Sequence, residues 1–456
     1  MNFSGKKVAV VGAGIEGFST LHFLSGKGST LYLFDRREEG QIGKQKLQKA
    51  SDLGAVVVTG KHYLDGLADF DIIFRSPGVR PDLPQIVEAK RRGAIITSQT
   101  KLFFDLCPAP IIGVTGTKGK GTTVTLISDI LKSAGKKVLL GGNIGEPPLN
   151  LIQKVTSDSL IILELSSFQL IDLEKSPHVA VILMITTEHL DWHKDVYEYR
   201  QAKERIVKYQ TETDYVVIDN DFPASREIGE ISKAKKYYYS SYTEVKRGAY
   251  FKEDSVFARS DDYTTKIIDS EKIKIPGEHN IQNITASIAA ASILKIPHKV
   301  TAQAIGAFKG LPHRLELVAE INGVKYYNDS ASTTPETAIA AINSFKEPKI
   351  IILGGSSKQA DFSNLGKKIV ESNIKGVILI GEEAKRIENS IKKSGHFEGS
   401  LVKNLTSMRK IVESAKNLAS NGDVIVLSPA SASFDMFENY EARGEKFKEA
   451  VNSFLD

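Results

Sequence analysis

At 456 residues, with 41% hydrophobic and 25% charged residues, the chain has the composition of a soluble globular protein and length for about three domains. Its net charge of +5 is spread along the chain, which argues against a nucleic-acid footprint. The single cysteine, Cys107, excludes an internal disulfide and suits a reducing compartment, and no apolar run approaches membrane-spanning length.

The chain starts directly with an apolar strand, Lys6 to Val11, and has no signal-peptide core, so a cytoplasmic location is expected. That strand feeds Gly12-Ala13-Gly14-Ile15-Glu16-Gly17 and a helix, and a second strand, TLYLFD, ends at Asp35. Glycines for a tight turn and a close approach to pyrophosphate, with an acid about 20 residues on for a ribose, make a dinucleotide-type fingerprint. It suits NAD or, equally, any nucleotide diphosphate. AVVVTG, FDIIFRSPGV and GAIITS continue the alternation of strand and helix. Ser76-Pro77-Gly78 makes a turn at a strand end that serves either a ligand or packing alone. Pro108 and Pro110 mark a boundary after KLFFDL.

Ile111 to Thr123, IIGVTGTKGKGTT, reads as a strand, a Gly-rich loop and the start of a helix whose apolar positions Val124, Ile127, Ile130 and Leu131 recur at helical spacing. Such a loop offers backbone N–H groups to phosphate oxygens, Lys120 adds a charge, and a hydroxyl can ligate Mg²⁺. Only Thr117 and Lys118 separate Gly116 from Gly119, and Gly121 follows Lys120, so Thr122 or Thr123 must supply the hydroxyl. Gly141 to Gly145 forms another ligand-side turn. The strand Leu160 to Leu163 ends in Glu164, where a Mg²⁺-binding acid belongs. A further strand ends in Thr186-Thr187-Glu188-His189, with Asp191 and His193 behind it, a metal or phosphate neighbourhood. Lys203 reads by composition as part of an ordinary charged helix face.

Residues 225–272 are polar and Tyr/Lys-rich, with short alternating strands and no visible chemistry. His279, Asn280 and Asn283 crowd the first turns of an Ala-rich helix, where amides either read a base edge or cap the helix. The last third repeats the α/β pattern: a strand ending at Asp329, with Ser330, Ser332 and Thr333 behind it, then KIIILGGSSKQADF, GVILIGE and DVIVLSPASASF. Gly354 to Lys358 suit an anion, and Ser431 and Ser433 are expected to open a helix whose N-terminus favours a carboxylate. One nucleotide-diphosphate unit, one ATP–Mg²⁺ unit and one unit of small-anion turns together suggest carboxylate activation through an acyl phosphate.

The motifs GAGIEG, TGTKGKGTT, GGNIG, ELSSFQL, TTEHLD, YRQAKERI, PGEHNIQN, LPHRLE, NDSAST, GGSSKQADF and SPASASFDMFENYEARG resemble those of the Mur ligase family over essentially the whole chain, and the last three fit its D-glutamate-adding branch. The resemblance implies an α/β fold of three domains: a Rossmann-like UDP-substrate domain over 1–106, a central P-loop-type ATP/Mg²⁺ domain over 107–310 and a Rossmann-like domain for the incoming amino acid over 311–456. It implies a monomer that uses ATP, Mg²⁺, UDP-N-acetylmuramoyl-L-alanine and D-glutamate, with no nucleic-acid or membrane partner. By it, Lys120, Glu164, His189 and Lys203 are catalytic, and Thr122, Glu164, His189 and a carbamylated Lys203 hold Mg²⁺ at two sites. Gly116, Thr117, Lys118, Gly119, Lys120, Gly121, Thr122 and Thr123, with Asn280, Asn283, Arg314 and Asp329, hold ATP. Gly14, Ile15, Glu16, Gly17, Asp35, Arg36, Ser76 and Asn143 hold the UDP-substrate, so the fingerprint is not an NAD site. Thr333, Lys358, Ser433 and the backbone at Tyr440 hold D-glutamate. Gly121, Ala331 and Tyr440 depart from the common family residues, and the Gly-Lys-Gly loop is shared with folylpolyglutamate synthases, which lack the first domain. A dinucleotide-binding sensor is the rival of another class.

Overall fold

Short runs of Val, Ile and Leu bounded by glycine turns become parallel strands covered on both faces, as crossover helices require. The computed structural model describes residues 1–357 and 359–455. Lys358, expected at the D-glutamate, lies outside the described residues. The chain divides into two compact units, one of Met1–Ser270 with Gln282–Ile305 and one of Glu271–Ile281 with Gly306–Asp456.

The first unit carries two sheets. Strands β1 (Lys7–Val11), β2 (Thr30–Asp35), β3 (Ala55–Thr59), β4 (Ile72–Arg75) and β5 (Ile95–Thr97) form an all-parallel sheet in the order β3-β2-β1-β4-β5. Its order reverses beside β1, so the GAGIEG turn after β1 and the Ser76-Pro77-Gly78 turn after β4 meet at one edge, the usual ligand position of such a sheet.

The second sheet has nine strands: β6 (Ile111–Thr115), β7 (Val138–Gly142), β8 (Leu160–Glu164), β9 (Val179–Ile182), β10 (Tyr215–Asp219), β11 (Lys235–Ser240), β12 (Gly248–Lys252), β13 (Ser255–Arg259) and β14 (Thr264–Asp269). Their order is β14-β13-β12-β11-β10-β9-β6-β8-β7. Only β13 and β14 run antiparallel to their neighbours, which absorbs the chemistry-poor stretch 225–272 into the sheet's far side. Here β6 is the switch point, flanked by β8 and β9. The helix Lys120–Ser133 follows the loop after β6, starting at Gly119 in the left-handed conformation (φ 86°) and giving way to Gly135 (φ 73°).

The second unit builds β15 (Glu316–Ile321), β16 (Val324–Asn328), β17 (Lys349–Gly354), β18 (Ile374–Ile380), β19 (Ser400–Val402) and β20 (Val424–Leu427) into a six-stranded sheet in the order β15-β16-β20-β17-β18-β19. The loops after β16, β20 and β17 therefore lie side by side. The helix expected from Ser431 and Ser433 does not start there. Ala430 is left-handed (φ 58°), the carbonyls of Ser431 and Ala432 accept from Arg443, and Ser356 N donates to Ala432 O at 2.9 Å. The Ser431 and Ala432 carbonyls are thereby taken out of helical bonding, and Ser433 O opens only a single turn, accepting from Met436 N at 3.2 Å and Phe437 N at 2.8 Å. The helix begins at Tyr440, where Asn439 Oδ1 caps Ala442 N at 2.7 Å. Among the described residues no helix is long and apolar enough to cross a membrane.

The fingerprint turn tolerates no added methyl group at Gly12 or Gly17: a Cβ on Gly17 would sit 1.9 Å from Gly12 O, and one on Gly12 2.7 Å from Ser76 Oγ. Gly17→Ala is expected to destabilise the first unit by about 1–3 kcal/mol through this overpacking. Denaturant unfolding that matches the unsubstituted chain would overturn that expectation.

Candidate active site

The loop after β6 is drawn around two lysine amines. Lys120 Nζ donates to Gly116 O and Thr117 O, both at 3.0 Å, and Lys203 Nζ donates to the same Gly116 O at 2.9 Å and to Thr115 Oγ1 at 3.3 Å. Lys203 is 1% exposed, so the charged-face reading of its helix is corrected: the helix Val196–Lys208 turns Tyr199, Ala202, Lys203, Ile206 and Val207 inward. Burial, reinforced by the nearby Lys120 charge, holds the Lys203 amine well below the ordinary lysine range, against the opposing pull of Glu188 and Glu164. Thr117 Oγ1 accepts from Thr186 N at 2.9 Å and pairs with the buried Tyr199 hydroxyl at 2.9 Å, which ties the loop to the segment after β9.

Of the two candidate hydroxyls, Thr123 is fully buried and directs Oγ1 to Asn283 Oδ1 at 3.3 Å. Half-buried Thr122 is left as the hydroxyl on the loop side. Gly119 is obligatory for the same reason, since its Cβ would meet Asn283 Oδ1 at 2.2 Å. Lys118 pairs with Glu188 at 2.5 Å.

Glu164 is 3% exposed at the end of β8. Its Oε1 accepts from Asn143 Nδ2 at 2.8 Å, and its backbone O accepts from Asn143 N at 2.9 Å. Its Oε2 is buried without a hydrogen-bond partner among the described residues. An unpaired buried acceptor costs about 1–3 kcal/mol, and a hard cation is the partner that a lone carboxylate oxygen fits. His189 stands in the left-handed region (φ 60°), half-exposed, its ring 4.8 Å from that of Phe168. Burial pulls its pKa down and the charges of Lys120 and Lys203 add to this, against Glu188 and Asp191. Loop, Glu164, His189 and Lys203 thus share one electrostatic neighbourhood. Among the described residues no three His, Cys, Asp or Glu side chains form a metal cluster, so any ion here needs the hydroxyl, phosphate or modified-lysine oxygens as well.

At the first sheet's edge, Ile15 is 79% exposed beside the open Gly14, a bare apolar surface at the fingerprint turn. Asp35 is buried and already engaged: Oδ2 accepts from Ala13 N at 2.7 Å, and Oδ1 from Arg37 N and Nε at 2.9 and 2.8 Å. Burial opposes its ionisation, but these bonds prevail and bring its pKa to about 2. Arg36 stays exposed while Arg37, which sequence reasoning passed over, makes the pair. Glu16 Oε1 accepts from Gln169 Nε2 at 2.7 Å, and Ser76 Oγ donates to Gly12 O at 3.4 Å. Arg75, also passed over, is wholly buried. It donates to Asp172, to the carbonyls of Ser76, Pro77 and Val79, and to Phe168 O. Its signal was a lone cation ending an apolar strand just before a turn.

In the second unit Asn280 is buried and its Nδ2 donates to Pro276 O at 2.6 Å. Arg314 is exposed, Thr333 half-buried and Ser433 buried. Tyr440 O accepts from Ser330 Oγ at 2.8 Å, and its N–H lies on the first residue of a helix. The hub of these loops is Arg443, fully buried and, among the described residues, bonded to no carboxylate. It donates to Ser330 Oγ and O and to the carbonyls of Ser431 and Ala432. Burial lowers its pKa to about 10. Asp329 accepts from Ser428 Oγ at 2.8 Å and Leu315 N at 3.2 Å. Burial nevertheless raises its pKa to about 7, against those bonds and the Arg314 charge.

Three family models match the chain: Mur ligase MurD-like, N-terminal domain over residues 6–98, Mur ligase middle domain over 114–291, and Mur ligase, glutamate ligase domain over 313–431. A protein of Acetivibrio thermocellus named UDP-N-acetylmuramoylalanine–D-glutamate ligase is 43% identical over 98% of this chain and 96% of its own. One of the same name from Clostridium tetani is 37% identical over 98% and 97%. Among solved structures, the UDP-N-acetylmuramate-alanine ligase MurC of Thermotoga maritima has the same fold at 20% identity, with a TM-score of 0.58 over 98% of this chain and 100% of that one. MurF of Acinetobacter baumannii aligns at 13% identity with a TM-score of 0.62 over 98% of this chain and 93% of its own.

The raised pKa of Asp329 has a consequence for the ligand-free protein. Its carboxyl holds a proton more tightly folded than unfolded, so the stability it contributes is complete below about pH 4 and is lost as pH rises through about 7. Asp329→Asn is therefore expected to be more favourable at pH 8 than at pH 5, by on the order of 2 kcal/mol in urea unfolding. An equal effect at both pH values would contradict it.

Proposed function

This chain belongs to the Mur ligase family, and from that premise we propose how its residues carry out one reaction. It is an ATP-dependent amide ligase of peptidoglycan precursor synthesis that adds D-glutamate to UDP-N-acetylmuramoyl-L-alanine. The alanyl carboxylate attacks the γ-phosphorus of ATP, forming an acyl phosphate and releasing ADP. The amine of D-glutamate then attacks the acyl carbon, phosphate leaves, and the nitrogen loses a proton. The observation that carries the reading is the meeting, at the β6 switch point, of a phosphate-type loop, a buried carboxylate with an orphaned oxygen and a buried amine.

Lys120 and the N–H groups from Gly116 to Thr123 hold the triphosphate, with Lys118 at the rim. The adenosine lies against Asn280 and Asn283, and Arg314 and Asp329 take the phosphates and ribose. Thr122, Glu164, His189 and Lys203 are the residues that would hold Mg²⁺. When bound, Mg²⁺ would neutralise phosphate charge during transfer. Lys203 has the property that carbamylation requires: burial favours its neutral amine, which attacks carbon dioxide and loses a proton to give a carbamate anion beside Lys120. Asn143 orients Glu164 and extends toward the muramoyl end. Gly14 to Gly17, Asp35, Arg36 and Ser76 hold the UDP, Ile15 offering its exposed side chain to the base. Thr333, Ser433, the Tyr440 N–H and Lys358 hold D-glutamate. The domains are 1–106, 107–310 and 311–456, and the enzyme works as a cytoplasmic monomer.

Phosphate release from ATP–Mg²⁺ is expected only when UDP-N-acetylmuramoyl-L-alanine and D-glutamate are both present. Release with another amino acid instead would move the chain to a sister branch, and no release with any acceptor would remove the ligase reading. Lys203→Ala is expected to lose most activity without rescue by excess bicarbonate. Near-normal turnover in that variant would sink the role given to Lys203.

A further inference from the structure

The densest polar cluster not assigned above joins the turn after β4 to the segment after β9. Arg80 grips Glu198 with Nη2 at 2.9 Å and Nη1 at 3.2 Å, and Asp82 with Nε at 2.7 Å and Nη2 at 3.0 Å. Its Nη1 also donates to the carbonyl of Trp192, and the guanidinium lies 5.0 Å from the centre of the Trp192 ring. The indole Nε1 returns a hydrogen bond to Gly78 O at 3.0 Å. Backbone N–H groups of Trp192 and His193 both reach back to His189 O, at 3.1 and 2.9 Å. Glu198 Oε2 accepts from Lys194 N at 2.9 Å. Side chains continue the link, since Phe168 packs against both His189 and Trp192, with ring centres 4.8 and 4.7 Å away.

Two loops from different sheets are thus fastened by one planar cation and one indole. The first is the Ser76-Pro77-Gly78 turn, given to the UDP-substrate. The second presents His189, given to Mg²⁺. His189 holds a left-handed backbone (φ 60°), a conformation that persists only where its surroundings impose it. A guanidinium forked between two carboxylates and stacked on an aromatic face has little freedom to adjust, so movement of the Gly78 turn reaches His189 through Trp192.

We propose that Arg80 and Trp192 are positioning residues that couple occupancy of the UDP-substrate turn to the geometry of the His189 loop. The coupling rests on the ligase reading above. Its consequence is reciprocal: UDP-substrate and Mg²⁺–nucleotide each tighten the other's binding, and by the same factor.

Trp192 is the only tryptophan of the chain, so tryptophan emission excited at wavelengths that tyrosine does not absorb reports on the clasp. The test titrates UDP-N-acetylmuramoyl-L-alanine into the full chain with and without Mg²⁺ and a non-hydrolysable ATP analogue. In the unsubstituted protein the emission is expected to shift, and affinity to rise about tenfold with Mg²⁺–nucleotide, inside the usual range of such couplings. Arg80→Ala is expected to bring that factor below about twofold, and Arg80→Lys, which keeps charge but not the fork, to leave an intermediate value. Trp192→Phe keeps the Arg80–Glu198 pair and removes the bond to Gly78. Calorimetric titration of that variant is expected to show the same loss, and it serves where Arg80→Ala fails to fold. An Arg80→Ala protein with the full factor, or Trp192 emission unmoved by saturating substrate in an enzyme that turns over, would overturn the proposal. An unsubstituted protein that releases no phosphate with any acceptor would instead remove the ligase reading, and the clasp's role with it.

Discussion

One carbonyl oxygen organises the centre of the first unit. Gly116 O accepts from both Lys120 and Lys203, so two lysine amines are brought to one acceptor at the end of a buried strand. Neither lysine can withdraw. Lys203 sits in a helix whose inward face is otherwise apolar, and Lys120 opens the helix that β6 feeds. Repulsion and desolvation both favour the neutral form of the more buried amine, and that amine is Lys203. The loop's geometry and the chemistry of the lysine are therefore one constraint. Gly116 belongs to it too, since a Cβ there would strike Leu183 Cβ at 2.6 Å.

The first two sheets share a unit because cations at strand ends fasten their loops. Arg75 carries the carbonyls of Ser76, Pro77 and Val79 on one side and Asp172 and Phe168 on the other. Glu16 reaches across to Gln169, and Ser19 to Asn150. Ligand-facing turns of a parallel sheet have no neighbouring strand beyond them. Pinning them to a second sheet gives them rigidity that a free loop lacks. Buried pairs of this kind contribute little net stability, and their value is in fixing where the turns lie.

The sequence was most legible where one residue type has one physical use. Glycine turns after apolar runs located the ends of β1, β4, β6, β7 and β17, and with them the edges at which the sites gather. Lys120 was singled out by the Gly-rich loop that opens a helix, and Glu164 by its place at a strand end beside that loop. Lys203 did not: the helix YEYRQAKERIVKY carries charge on every turn, and which charged residue points inward is decided by packing against β6. Arg75, Arg37 and Arg443 were illegible for a related reason. Each is a cation whose partners are carbonyls or acids distant in sequence or chosen by a loop's path, and no periodicity encodes that. Ser431 and Ser433 looked like helix caps because hydroxyls favour such positions, yet Arg443 takes the carbonyls of Ser431 and Ala432, Ser433 opens only a single turn, and the helix starts at Tyr440.

The two units meet the same need, to hold a polar loop rigid beside a ligand edge, with different chemistry. The first uses lysines near carboxylates, so its electrostatics change when a phosphate or a cation arrives. The second uses Arg443 bonded to a hydroxyl and three carbonyls, groups whose charge does not change over ordinary pH. Asp329, two residues behind the Ala331 departure, is the only carboxylate given a site role there, and its burial leaves it poised near neutrality. A cationic ligand group, or the exposed Arg314 moving closer, would favour its ionised form. On the proposed reading, the scaffold of that unit is fixed and a single carboxyl responds to the ligand, whereas in the first the loop that would bind and the groups that would respond are the same residues.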